Sequence, residues 1–254
     1  MAGKAADKAL IEELKERIID GLNVLVKEDI LYGAGHLSAR IPGTNTFLIN
    51  PRYPGNLATV EDISVVDIAT GKRIDGPGPI PSETHIHTEI YKARPDLESV
   101  THCHPRYATI VGMLDRPWVP FNLDAANFTD GIGVYPEAHL VDDIERGRKL
   151  AQSLGPNALA VFQKGHGIAV GGPSIEGACV LTTHLEYACR DLLALLPIRE
   201  PVPIDDELAG DPGRRLNRIK NDYRAFPFLL QKHGIRTRKQ IRSKLHPAPE
   251  GKKN

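Results

Sequence analysis

The sequence reads as a mixture of helices and short strands, with one main domain over residues 1–196 and an extended linker and basic helical tail over 197–254. Three observations lead there. Stretches with apolar residues at helical spacing alternate with short runs rich in β-branched residues, the pattern of helices laid on a sheet. With 254 residues and 41% hydrophobic composition, the chain is long enough to bury a large core. After Leu196 the character changes: Pro197, Pro201 and Pro203 lead into Asp205-Asp206-Glu207, and the end is rich in Lys and Arg.

Leu10, Ile11, Leu14, Ile18, Leu22 and Leu25 fall at helical spacing and predict an amphipathic helix over about residues 7–28. Gly33 and Gly35 let the backbone approach something closely just ahead of His36. Strands over 37–41 and 46–50 follow, joined by the Pro42-Gly43 turn. Asn50 ends the second strand, and Pro51 and Pro54 stiffen the loop that carries Arg52 and Tyr53. Arg52 there is either a solvated surface cation or a planar fork suited to a carboxylate. A short strand over 63–67, a turn over 69–72 and a rigid connector over 76–79 lead to a helix opened by Ser82 as its N-cap. Glu83 sits in the first turn of that helix, with His87 one turn further on the same face.

The stretch Ser99-Val100-Thr101-His102-Cys103-His104-Pro105 reads as a strand closed by a proline. In a strand, residues i and i+2 project from one face, so His102 and His104 aim two imidazoles at one point. That spacing suits a metal ion, and equally suits two histidines that only pack and hydrogen-bond. Downstream, 107–114 reads as a helix, 118–121 as extended, 131–135 as a short strand and 142–154 as a polar-faced helix. Strands over 158–162 and 168–170 flank Gln163-Lys164-Gly165-His166-Gly167, a hairpin tip whose glycines leave the His166 imidazole without neighbouring side chains. The longest helix spans 173–196, and a basic helix over 214–231 carries Tyr223.

Lys plus Arg and Asp plus Glu both number 32, so the formal net charge is zero, and neither nucleic acid nor an anionic membrane is expected as a partner. Three cysteines in no framework spacing suit reduced thiols in a cytoplasmic protein, and no run approaches the ~18 apolar residues of a membrane span. The ten histidines are the unusual feature. His102, His104 and His166 together match the three-ligand, open-site logic of a catalytic metal centre, with Glu83 placed to complete or serve it.

Four ordered motifs resemble the class II aldolase/adducin family: Ser82-Glu83 before a helix, Ala93-Arg94-Pro95-Asp96, the His102-Cys103-His104-Pro105 strand end and Lys164-Gly165-His166-Gly167. The resemblance covers roughly residues 10–196. It implies a three-layer α/β/α fold around a central, mainly antiparallel sheet, and one divalent metal per chain on His102, His104 and His166. It also implies a homotetramer with active sites at subunit borders. Zinc suits three imidazoles best, with manganese, iron or cobalt as alternatives.

The family includes sugar-phosphate aldolases, a sugar-phosphate epimerase, hydroxyaromatic decarboxylases and metal-free adducins. All three histidine ligands are present, against an adducin-like interaction module. The epimerase carries an aspartate where Glu83 stands. The family's aldolases cradle phosphate at positions that here read His36, Asn50-Pro51-Arg52 and Pro81-Ser82, and that cradle is dismantled. An imidazole and a guanidinium in its place suit a carboxylate substrate. The expectation is a metal-dependent lyase that decarboxylates a hydroxylated aromatic or heteroaromatic acid. The alternative is a metal-dependent (retro-)aldolase on a non-phosphorylated hydroxy-acid or sugar-like substrate, and a second alternative is a non-catalytic adducin-like interaction module. On the lyase reading Glu83 or His36 handles the proton, with the Glu83 pKa raised if its site is dry and that rise opposed by an adjacent cation, and Arg52, Asn50 and Ser82 bind substrate. Tyr223 or Tyr53 is offered from a neighbouring subunit.

Overall fold

The computed structural model describes residues 7–53, 57–204 and 225–235. Helix α1 (Lys8–Lys27) starts at Asp7, whose side chain accepts from the Ala9 amide, and buries Leu14, Ile18, Leu22 and Leu25 along one stripe. Strands β1 (Gly35–Arg40), β2 (Thr46–Ile49), β3 (Ser64–Asp67) and β4 (Arg73–Asp75) follow as an antiparallel meander. Helix α2 (Thr84–Ala93), β5 (Ser99–Cys103), the short α3 (Arg106–Val111), β6 (Gly133–Tyr135), α4 (Ile144–Leu154), β7 (Ala160–Gln163), β8 (Gly167–Gly172) and α5 (Ile175–Leu195) complete the domain.

The eight strands form one sheet in the order β4-β3-β2-β1-β5-β8-β7-β6. Every pairing is antiparallel except β6 with β7. Helices α1 and α5 cover one face, and α2 and α4 pair over the other, giving the predicted three-layer α/β/α arrangement. Strand alternation assigns the side chains: Leu37, Ala39 and Thr101 look toward α1 and α5, whereas His36, Ser38 and His102 look toward α2. Packing on the first face is close. A Cβ on Gly21 would lie 2.7 Å from Leu37 Cδ2 and 2.8 Å from Cys179 Sγ, so glycine there lets α1 sit down on β1 and α5.

Most predicted elements recur within a residue or two of their expected ends. Ser82 is a correction: Glu83 occupies the N-cap of α2 without a side-chain cap bond, and the Pro81 carbonyl takes the Thr84 amide at 3.2 Å and hydroxyl at 2.5 Å instead. Ser82 is exposed. Strand β4 was not expected from the sequence, because a three-residue, fully exposed edge strand carries no hydrophobic alternation. Residues 118–121 are extended but join no ladder. Of the tail, α6 (Ala225–Lys232) docks on the domain, with Phe226, Leu229 and Leu230 buried in the common core. The Lys232 ammonium and His233 imidazole reach Glu28, at the end of α1, at 2.7 and 2.6 Å. Tyr223 and most of the predicted basic helix lie outside the described residues. Among those residues no helix is long and apolar enough to cross a membrane.

Candidate metal centre

The ends of β1, β5 and β8 meet on the α2 side of the sheet. His36 stands directly opposite His102 across the β1–β5 ladder, and Ala169 of β8 lies beyond. Two residues on, His104 follows the end of β5, and Pro105 turns the chain into α3. His166 sits in the tight turn between β7 and β8, where its amide donates to the Gln163 carbonyl at 2.9 Å and Gly165 holds φ at +71°. Gly167 permits the approach to β5: a Cβ there would fall 2.4 Å from the Cys103 carbonyl oxygen and 2.8 Å from His104 Cδ2. The His104 and His166 rings can therefore stack, with centroids 4.8 Å apart.

The result is a knot of lone pairs. His104 Nε2 lies 3.2 Å from His102 Nε2 and 3.0 Å from His166 Nε2. Glu83 Oε2 is 3.4 Å from His102 Nε2 and 3.6 Å from His166 Nε2, and the four ligating atoms all fall within 4.8 Å of one another. Two nitrogens bound tetrahedrally to one ion at 2.0–2.1 Å stand about 3.3 Å apart, so the spacing fits a shared metal. At His166 an outer partner fits too: Nδ1 has the Ala138 carbonyl at 3.1 Å, and donation to it leaves Nε2 with its lone pair toward the cluster.

Electrostatics follow from burial. Desolvation, with His102 and His166 adjacent, depresses His104 to about 4 and also lowers His166, which favours the neutral imidazole that can offer a lone pair to a metal. At Glu83 the two opposed effects meet. Burial does push its carboxyl up, but the hydrogen bond and charge of His102 and the Val141 amide, 3.0 Å from Oε1, outweigh it and hold the pKa at about 2. The carboxylate is ionised.

His36 is 5% exposed, its ring centroid 4.9 Å from that of His102. Its Nδ1 lies 2.7 Å from His87 Nε2; His87 Nδ1 lies 2.6 Å from Ser38 Oγ; and Ser38 Oγ lies 2.7 Å from the Tyr91 hydroxyl. All four side chains are buried. The sequence reading gives neither Ser38 nor Tyr91 a role at the site. The available signal was a polar residue at the inward position two after His36, and the i, i+4 pairing of His87 with Tyr91.

Asn50 is fully buried and committed to the backbone: Oδ1 accepts from the Leu37 amide at 2.8 Å, and Nδ2 donates to the Pro51 carbonyl at 2.9 Å and the Gly35 carbonyl at 3.4 Å. This corrects the expectation that it binds substrate; it braces the loop that delivers His36. Arg52 is exposed just beyond β2, at the same end of the sheet, and among the described residues its guanidinium makes no hydrogen bond or ion pair. Tyr53 is 38% exposed, and its hydroxyl bonds Asp62. The cysteines are free and buried, as their spacing predicted.

Comparison with known proteins agrees with this geometry. The family described as Class II Aldolase and Adducin N-terminal domain matches residues 27–193. A 3,4-dihydroxyphthalate decarboxylase of Arthrobacter keyseri is 32% identical over 178 residues, covering 65% of this chain and 71% of the relative. Decarboxylase NovR of Streptomyces niveus is 29% identical over 175 residues, 68% of this chain and 64% of the relative, so the chain spans less than two thirds of that protein. An L-fuculose 1-phosphate aldolase of Glaciozyma antarctica PI12 superposes with a TM-score of 0.72 at 24% identity, over 93% of this chain and 97% of that one, and shares the fold. The chain belongs to the class II aldolase and adducin family.

Proposed function

We propose that this chain is a metal-dependent lyase that decarboxylates a hydroxylated aromatic or heteroaromatic acid. The observation that carries the proposal is the convergence of three imidazole nitrogens and one ionised carboxylate on a single point, beside the buried imidazole of His36. Family members named decarboxylases at about 30% identity support the choice of reaction. His102, His104 and His166 would hold a divalent ion, with Glu83 as a fourth ligand or its neighbour, and three nitrogens suit zinc. When bound, such an ion supplies positive charge for an oxygen anion that develops next to the reacting carbon.

The protein's own groups then have defined tasks. Glu83 arrives ionised and so has a lone pair free for a proton: Oε2 takes the proton of the substrate hydroxyl, and the resulting acid returns it to the ring carbon that bears the carboxyl group. The bond from that carbon to the carboxyl then breaks, carbon dioxide leaves, and its electron pair restores the ring. The Val141 amide on Oε1 keeps Oε2 aimed at the site throughout. In this reading Arg52 orients the substrate carboxylate from the loop after β2, and exposed Ser82 borders the same entrance. A homotetramer bordering each site with a neighbouring subunit is part of the proposal; Met113 and Leu140, both 49% exposed, supply apolar surface near the His166 turn for such a contact.

Metal analysis of the purified chain should find about one divalent ion per chain, lost on His102→Ala, His104→Ala or His166→Ala. Incubation with hydroxybenzoates and dihydroxyphthalates should release carbon dioxide. Aldehyde release from hydroxy-acids without carbon dioxide would replace decarboxylation with retro-aldol cleavage, and neither product from a metal-loaded chain would refute the lyase assignment.

A further inference from the structure

The Tyr91–Ser38–His87–His36 chain runs from the core to the edge of the histidine cluster, and its proton directions can be worked out from one end. The Tyr91 hydroxyl meets Ser38 Oγ at 2.7 Å and the backbone of Val100, whose amide can only donate to it, so its own proton goes to Ser38, which accepts. Ser38 has one proton to give and two acceptors, His87 Nδ1 at 2.6 Å and the Val100 carbonyl at 3.4 Å. The Val100 carbonyl lies beyond the usual O–H···O range of about 2.5–3.0 Å, so we place the Ser38 proton in the shorter contact, on the side of His87. With Nδ1 accepting, neutral His87 carries its hydrogen on Nε2 and donates it to His36 Nδ1 at 2.7 Å. His36 must then hold its own hydrogen on Nε2. That nitrogen makes no hydrogen bond among the described residues and is not among the sealed, unpartnered polar atoms, so it reaches open space beside His102.

We propose that Tyr91, Ser38 and His87 are positioning residues that lock His36 as the Nε2–H tautomer, making it a hydrogen-bond donor to an anionic substrate oxygen rather than a base. The inference rests on the cluster being the active site, and it narrows the ligand class. An Nε2–H accepts nothing, so this wall of the site receives a carboxylate or keto oxygen and rejects a hydroxyl or amine that must donate. Proton transfer falls to Glu83 alone. The ordering is also a contrast within one site: ligands binding metal through Nε2 carry hydrogen on Nδ1, whereas His36 carries the opposite tautomer. All four chain members are buried, so water cannot scramble the order.

The test is long-range proton–nitrogen NMR on the full chain, labelled with ¹⁵N-histidine and loaded with zinc, without substrate. His36 is assigned by the signal lost in His36→Gln. The expected result is a single Nε2–H tautomer for His36 in the wild type and a mixed or reversed one in Ser38→Ala, where His87 Nδ1 loses its donor. In parallel, 2,3-dihydroxybenzoate should bind tighter than catechol, and Ser38→Ala should cut that preference by about 10-fold, the worth of one hydrogen bond to a charged group. A wild-type His36 protonated on Nδ1, or a tautomer and binding ratio unchanged by Ser38→Ala, overturns the proposal. If Ser38→Ala does not fold, the wild-type tautomer decides alone. Because that tautomer is read without turnover, a chain with Nε2–H on His36 and no decarboxylase activity would sink the function and leave this inference standing.

Discussion

Replacing Asn50 with Ala separates a brace from a substrate ligand. The Asn50 side chain is fully buried, and it is the partner of the Leu37 amide at 2.8 Å and the Pro51 carbonyl at 2.9 Å. Truncation leaves both backbone groups without that bond in a region closed to water. At about 1–3 kcal/mol per unsatisfied buried group, with one partly relieved by relaxation, the loss is about 2–4 kcal/mol. For a chain of this size that is a fall in Tm of roughly 4–16 °C. Leu37 is the neighbour of His36, so the imidazole should lose its fixed place as well, and kcat should fall along with stability. The assay is a thermal melt beside steady-state kinetics with the best carboxylate substrate found. Asn50→Asp sharpens it, because a carboxylate can still accept from Leu37 but meets the Pro51 carbonyl oxygen without a proton. A raised KM with unchanged Tm and kcat in Asn50→Ala would refute the bracing role and return Asn50 to the substrate.

Gly167→Ala puts a methyl group 2.4 Å from the Cys103 carbonyl and 2.8 Å from the His104 ring; a cost of about 1–3 kcal/mol and a weakened metal site are expected, read by melting and by metal titration. Arg52→Ala should leave Tm within about 0.5 kcal/mol equivalent of the wild type, as its exposed side chain packs on nothing described, while KM for a carboxylate substrate rises; an unchanged KM removes Arg52 from the site. Burial pushes the Glu176 carboxyl up, yet the Arg17 guanidinium, gripping both its oxygens at 2.8 and 2.7 Å, outweighs this and leaves it below the usual range. A depressed folded-state value means stability that is whole above the unfolded carboxylate pKa of about 4.3 and lost as pH falls below it. Denaturant melts from pH 6 to 3 should therefore show a shallower acid decline in Glu176→Gln than in the wild type.

Much of the fold was legible because it rests on short-range patterns. Leu14, Ile18, Leu22 and Leu25 mark one helix face by spacing alone, and Asp7, Asp143 and Ser174 cap their helices through their own side chains, whatever else surrounds them. Strand β4 was not legible because its three exposed residues carry no hydrophobic alternation, and the parallel β6–β7 pair was not because its partners lie far apart in sequence. The residues of the histidine cluster were readable for a similar reason: His102 and His104 share a strand face by periodicity, and the glycines around His166 declare a tip that presents one side chain.

The sequence by itself determined which residue types are available at the site and that two of the histidines point the same way. Only tertiary structure decided what the others do. Asn50 and His36 lie near each other in any alignment of the strands, but one turned inward to the Leu37 backbone and the other to the cluster, a choice made by the β1–β2 register and the loop after it. The pKa of Glu83 could not be read from composition, because burial and its three opposing partners come from three different elements and act with opposite signs. The order of protons from Tyr91 to His36 depends on distances of a few tenths of an ångström between side chains on a strand and a helix, and no linear pattern of residues encodes such distances.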